Sequence, residues 1–68
     1  MNYLHSNLRA LRKGKYLTQQ GMAFATDIPK RCIESYEAKR ASPSIKRLIY
    51  LADYFKVSID DLILKDLS

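Results

Sequence analysis

The chain has 68 residues and a formal net charge of +5 at neutral pH, with twelve Lys and Arg against seven Asp and Glu. A chain of this length is expected to form one small domain, residues 1–68, with little room for a deep catalytic cleft. Its single cysteine, Cys32, excludes an internal disulfide and lacks partners for a metal site, so we expect neither a metal nor a cofactor. A free thiol also suits a reducing, cytoplasmic location.

The charge is unevenly distributed. Ten Lys and Arg accompany three Asp and Glu between Met1 and Arg47, a balance of +7, whereas two accompany four from Leu48 to Ser68, a balance of −2. A basic N-terminal part, residues 1–47, and a mildly acidic C-terminal part favour a polyanion bound by the N-terminal part. Solubility alone could also explain the charge. The longest apolar run, LIYLA at 48–52, is far shorter than the roughly 20 residues of a membrane span, so no membrane association is expected.

The helical period begins near the N-terminus and predicts the first two helices. Apolar residues spaced i, i+4 and i+7 form the inner side of the first, and Gly14 offers its end; these residues are Leu4, Leu8 and Leu11. Thr18 can cap a second helix that begins at Gln19. The inner face of that helix is predicted to hold Met22, Ala23 and Thr26.

Three more helices follow. Pro29 suits the first turn of the third, because its missing N–H would be unpaired there. The segment Ser42-Pro43-Ser44 opens the fourth, whose predicted apolar stripe comprises Ile45, Leu48, Ile49, Ala52 and Phe55. Ser58 and Asp61 form a variant capping box that opens a short fifth helix. The sequence therefore predicts a compact, all-α bundle of five helices.

The connection between the second and third helices is the shortest. About three residues separate Thr26 from the helix that begins near Pro29, and so tight a join forces a steep crossing angle, as in a helix-turn-helix. Asp27 lies where such turns often require a positive φ, which Asp tolerates better than most residues.

The third helix, about 29–38, divides into an apolar and a polar side. Cys32, Ile33 and Tyr36 are predicted to join the core. The polar side could be an ordinary solvated face or a surface that reads DNA, where Lys and Arg donate to guanine and Glu accepts from cytosine. The candidate base-reading residues are Lys30, Arg31, Glu34 and Ser35.

The chain resembles the lambda-repressor-like, or xenobiotic-response-element type, helix-turn-helix domains from Leu4 to Ile63. The motifs that carry the resemblance are LTQ at 17–19, Ala23, Ile33, YE at 36–37, R-A-x-P at 40–43 and V-S-I-D-x-L at 57–62. The order and spacing of these motifs make the match specific, although none of them is decisive alone.

The resemblance implies roles for several residues. Gln19 would bind a DNA phosphate and brace the reading helix, with Thr18 beside it. Arg12 and Glu37 would form a structural ion pair between the first and third helices. Lys39 and Arg40 would lie in the loop after the reading helix, which runs beside the phosphates of the DNA backbone in this family. The chain departs from the family pattern in the two turns that flank the third helix, since Asp27 and Lys39 replace typical glycines and Pro29 removes a common phosphate-binding N–H.

These features favour a sequence-specific, double-stranded DNA-binding regulator of transcription, most simply a repressor. One such domain makes too few base contacts for tight specificity, so we expect a homodimer on a pseudo-palindromic operator. The expected dimer contacts are Ile59, Ile63, Leu64 and Leu67. The alternative is a protein-interaction module, such as the antitoxin of a toxin–antitoxin pair. An enzyme is the weakest hypothesis, because His5 is the only histidine and no catalytic set falls on one face.

Overall fold

The computed structural model describes residues 2–68, which contain five α-helices and no strand. They are α1 (Leu4–Gly14), α2 (Gln19–Thr26), α3 (Lys30–Glu37), α4 (Ile45–Phe55) and α5 (Ile59–Leu64). The third helix packs against α1 and α2, and the fifth packs against α1 and α4. The predicted all-α, five-helix architecture is confirmed. No helix in residues 2–68 combines the length and apolar character needed to cross a membrane.

Hydroxyl side chains cap three of the helices, but at α5 only the Ser58 half of the predicted capping box forms, because the Asp61 side chain accepts no hydrogen bond from the Ser58 N–H. The side chains of Thr18, Ser44 and Ser58 each accept a backbone N–H three residues later, at 2.9, 3.2 and 3.0 Å. Each bond satisfies a donor that the first helical turn leaves unpaired. Pro29 differs slightly from prediction, because it precedes the first turn of α3 in an extended conformation, with φ −55° and ψ 139°.

Left-handed residues follow the first four helices, and none of them is glycine. Their φ angles lie between 58° and 62°, at Tyr16, Asp27, Lys39 and Lys56. Gly14 does end α1, but the left-handed turn comes two residues later. A side chain in this conformation costs about 1 kcal/mol relative to glycine. The predicted positive φ at Asp27 is confirmed, and the other three positions carry the same backbone strain.

Each helix supplies one fully buried aliphatic side chain to a single core. These five residues are at most 1% exposed: Leu8, Met22, Ile33, Leu51 and Leu62. A core drawn from all five helices makes the position of α3 depend on every other helix, since a close-packed interior transmits displacement.

The predicted apolar stripe of α4 is wrong at two positions. Ile45 is 78% exposed and Ile49 is 51% exposed, whereas Leu51, Ala52 and Phe55 are buried. The helix is turned so that Leu51 rather than Ile49 meets the core. Helical spacing alone fits both orientations, and in the observed one Leu51, Ala52 and Phe55 join the core shared with the other helices.

Asn7 is a buried polar residue that links α1 to the C-terminal segment. Its Nδ2 group donates to the carbonyls of Leu62 and Lys65 at 2.8 and 2.7 Å, and its Oδ1 accepts from the backbone N–H of Leu67 at 2.9 Å. All the hydrogen-bonding capacity of its two N–H groups is used. Asn7 therefore fixes the end of α5 and the residues after it against α1.

Candidate nucleic-acid interface

The turn between α2 and α3 is held from both sides. Ile28, in the turn, is 3% exposed and anchors it to the core. The Thr26 hydroxyl donates to the carbonyl of Met22 at 2.7 Å, and the Tyr50 hydroxyl from α4 donates to the carbonyl of Thr26 at 3.0 Å. The last turn of α2 is thus tied to α4, which the sequence pattern did not predict.

The surface of α3 separates as its sequence predicted. Ile33 and Tyr36 are buried, and Cys32 is half-buried against the core rather than fully enclosed. On the other side, the first turn presents two exposed cations, followed by two half-buried polar residues; in order these are Lys30, Arg31, Glu34 and Ser35. The helix therefore carries long donors where its N-terminal end leaves the bundle.

An ion pair joins α1 to the end of α3. Arg12 donates from Nε to one oxygen of Glu37 at 2.7 Å and from Nη2 to the other at 3.0 Å, and both side chains are largely buried, at 10% and 6% exposure. The hydrogen bond to Glu37 raises the pKa of Arg12 above its ordinary value. This two-pronged geometry fixes distance and orientation together.

Two further bonds extend this pair to the start of α2. Arg12 Nη1 donates to the carbonyl of Leu17 at 2.8 Å, and Gln19 Nε2 donates to Glu37 at 3.1 Å. The α1–α2 loop, the first residue of α2 and the last residue of α3 therefore meet at one guanidinium and one carboxylate. We call these residues the Arg12 network: Arg12, Leu17, Gln19 and Glu37.

Tyr36 is a second point at which α3 is held. Arg47 of α4 donates to the Tyr36 hydroxyl at 3.1 Å, and this bond raises the pKa of Arg47. His5 of α1 donates from Nδ1 to the Tyr36 carbonyl. His5 is thus part of α1 and bonded to α3. No periodic signal in the sequence marked His5, Arg47 or Tyr50 as partners of the helix-turn-helix.

The predicted phosphate-binding residues occupy two places. Thr18 and Gln19 are at the start of α2, where the Thr18 hydroxyl caps the helix and Gln19 retains a second N–H beyond its bond to Glu37. Lys39 and Arg40 are exposed in the loop that follows α3. The two places are connected through the Arg12 network, because Glu37 lies two residues before Lys39.

The predicted dimer residues lie on and after α5. Leu64 is 64% exposed and Ile59 is at the margin of exposure, whereas Ile63 and Leu67 are half-buried. In residues 2–68, no group of three His, Cys, Asp or Glu side chains could hold a metal ion.

The helix-turn-helix family matches residues 8–62. The chain is 39% identical over 57 residues to the uncharacterized HTH-type transcriptional regulator YqaE of Bacillus subtilis, covering 84% of this chain and 49% of that protein. It is 30% identical over 59 residues to the HTH-type transcriptional activator BcrR of Enterococcus faecalis, covering 87% and 29% respectively.

A solved structure shares the fold. The crystal structure of a transcriptional regulator from Listeria innocua superposes with a TM-score of 0.83 at 32% identity, over 93% of this chain and 59% of that one. The chain thus spans between about a third and three fifths of the length of these relatives. All three are described as regulators of transcription. With its tight α2–α3 turn and the family match from 8 to 62, the chain belongs to the helix-turn-helix family of DNA-binding transcription regulators.

Proposed function

We propose that this chain binds double-stranded DNA in a sequence-specific manner, with α3 in the major groove. The observation that carries the proposal is the division of α3, in which Ile33 and Tyr36 are buried while Lys30 and Arg31 extend from the opposite side. The major groove admits an α-helix, and cationic donors read guanine O6 and N7 there. Glu34 and Ser35 follow on the same helix and complete the proposed reading surface.

Phosphate contacts set the register of the reading helix in this proposal. Thr18 and Gln19 would meet one stretch of backbone, and Lys39 and Arg40 another. The net charge supports this assignment, because the positive balance of +7 lies between Met1 and Arg47. We further propose repression, acting on cytoplasmic DNA, because exclusion of polymerase from an occupied operator needs no surface beyond the one that binds DNA.

Two substitutions test the division between base and phosphate contacts. Arg31→Ala should weaken binding by about 1–3 kcal/mol on the preferred duplex and relax discrimination at one or two base pairs. Lys39→Ala should weaken binding to every duplex alike and reduce the salt slope of log affinity by about 0.9. Site selection from random duplexes, followed by titration of both variants at two salt concentrations, measures both effects. Equal behaviour of the two variants on every duplex would contradict the assignment.

We also propose that two copies of the chain bind a pseudo-palindromic operator, with half-sites roughly 34 Å apart. Pairing through α5 is supported by exposed aliphatic groups on the acidic part of the chain, Leu64 above all. This would place the contact away from the basic reading surface. Ile59, Ile63 and Leu67 would complete the contact.

Sedimentation tests this pairing. The chain should sediment as a dimer on operator DNA, and Leu64→Asp should yield one copy per duplex, because a carboxylate in an apolar contact loses its hydration. The control Ile45→Asp places the same charge on an exposed isoleucine outside α5 and should leave the stoichiometry at two. A monomer at high micromolar concentration, with and without operator, would refute pairing.

The exposed isoleucines of α4 favour a second candidate, a protein-interaction module such as an antitoxin. Ile45 and Ile49 are one helical turn apart on the same face and could contact a partner protein. Salt separates the two functions, because DNA binding releases counterions and weakens steeply with ionic strength, whereas an apolar contact does not.

A further inference from the structure

Tyr16 lies in the α1–α2 loop and combines backbone strain with nearly complete exposure. Its φ is 59°, and its side chain is 96% exposed, the highest value among the large apolar residues described. The loop would fold at least as well with glycine there, because glycine adopts this conformation without penalty. The ring contributes nothing to the core, so packing does not explain it. Asp27, Lys39 and Lys56 share the strain, but Tyr16 alone among these four carries an exposed aromatic ring, and that combination favours a role outside the fold.

The backbone around Tyr16 is rigidly placed. Its N–H donates to the carbonyl of Lys13 at 2.9 Å, and the N–H of Leu17 donates to the carbonyl of Arg12 at 3.2 Å. These two bonds form the double closure that ends a helix on a left-handed residue. The Leu17 carbonyl also accepts from Arg12 within the Arg12 network. Tyr16 is therefore adjacent to Leu17, which is connected through Arg12 to Glu37 at the end of α3.

The charge of the sequence on either side of Tyr16 favours an anionic partner. The sequence from Met1 to Thr26 contains four Lys and Arg and no Asp or Glu. Of the neighbouring cations, Lys13 is exposed, and Lys15 lies 5.2 Å from the centre of the Tyr54 ring. Thr18, two residues after Tyr16, begins the helix whose first turn we propose to meet a phosphate. A phenol at this place can donate to phosphate oxygen but cannot neutralise it.

We propose that the Tyr16 hydroxyl donates a hydrogen bond to a phosphate of the DNA backbone, beside the phosphate approached by the start of α2. The inference rests on the proposed function, since it requires duplex DNA against α2 and α3. The bond would position the duplex without reading its sequence. Through Leu17 and Glu37, the Arg12 network would fix the position of α3 relative to that phosphate.

Tyr16→Phe isolates the hydroxyl, because it keeps the ring and the left-handed backbone. Fluorescence anisotropy on a short duplex recovered by site selection should show affinity about threefold to tenfold weaker than that of the unaltered chain. The same factor should appear on every sequence, and the salt slope should not change, because a phenol releases no counterion. Duplexes with one neutral methylphosphonate at a time locate the contact. At one position the methylphosphonate should weaken the unaltered chain but not Tyr16→Phe.

Glycine substitutions separate strain from binding. Tyr16→Gly should raise the melting temperature by roughly 4 °C and weaken DNA binding. Lys56→Gly relieves the same strain after α4, so it should raise the melting temperature by a similar amount. It should leave the affinity for DNA unchanged within about twofold. If both Tyr16 variants bound the duplex as the unaltered chain does, the inference would be overturned and the proposed function would stand. If the unaltered chain bound no duplex, the proposed function would fail and the inference with it.

Discussion

Glu37→Ala is expected to lower the free energy of unfolding by about 3–5 kcal/mol. The substitution leaves the Arg12 guanidinium largely buried, with its Nε and Nη2 donors unpaired and only the Nη1 bond to Leu17 intact. A buried cation without its anion costs far more than the pair contributes. The free energy of unfolding of a small domain is of the same order, so much of the chain should be unfolded at room temperature.

Urea denaturation followed by circular dichroism measures this loss. Glu34→Ala is the matched control, because Glu34 is a half-buried glutamate on the same helix outside the Arg12 network, and it should change stability by less than about 0.5 kcal/mol. A double variant, Arg12→Met with Glu37→Leu, should recover most of the stability by replacing the pair with apolar groups. Similar losses from Glu37→Ala and Glu34→Ala would show that burial of the ion pair has been misjudged.

Asn7→Ala should cost about 3 kcal/mol or more. Three backbone groups lose their partner at once, namely the carbonyls of Leu62 and Lys65 and the N–H of Leu67. Each buried group left unpaired costs about 1–3 kcal/mol, reduced where water reaches it. The loss should be concentrated in α5 and the residues that follow it.

Hydrogen exchange resolves where that loss falls. In Asn7→Ala, amides of α5 should exchange faster than those of α2 and α3, because local opening needs fewer broken contacts there. Asn2→Ala is the control, since Asn2 is exposed and its Oδ1 accepts a single bond, from the Leu4 N–H at 2.8 Å. It should lower stability by about 1 kcal/mol at most. Uniform acceleration across all helices in Asn7→Ala would argue against a local role.

Much of the fold could be predicted because its signals are local. The hydroxyl caps at Thr18, Ser44 and Ser58 depend on residues only three positions away, so the sequence contains all the information needed. The left-handed Asp27 follows from the short join after α2. The orientation of α4 is different. Ile45 and Ile49 fit an inward stripe by spacing, and only the assembled core, which takes in Leu51, Ala52 and Phe55 instead, leaves them facing outward.

The candidate site could be predicted where one helix carries it. The helical period of α3 alone predicts that Lys30 and Arg31 lie on its outer side, where both are exposed. The bonds from Tyr50 to Thr26 and from Arg47 to Tyr36 were missed, because each joins residues 11 or more positions apart. Asn7 was missed for a related reason, since a polar residue shows no periodic pattern and its partners lie 55 or more positions away.

Two hydrogen bonds donated by side chains of α4 bear on the entropy of association. Tyr50 holds the end of α2, and Arg47 holds the end of α3 through Tyr36. A recognition element that is mobile in solution must lose that freedom when it binds, and the loss reduces affinity. Here α4 restricts both helices when the chain folds. Little conformational freedom then remains to be lost when the helix-turn-helix meets its ligand, so a small contact area can support measurable affinity.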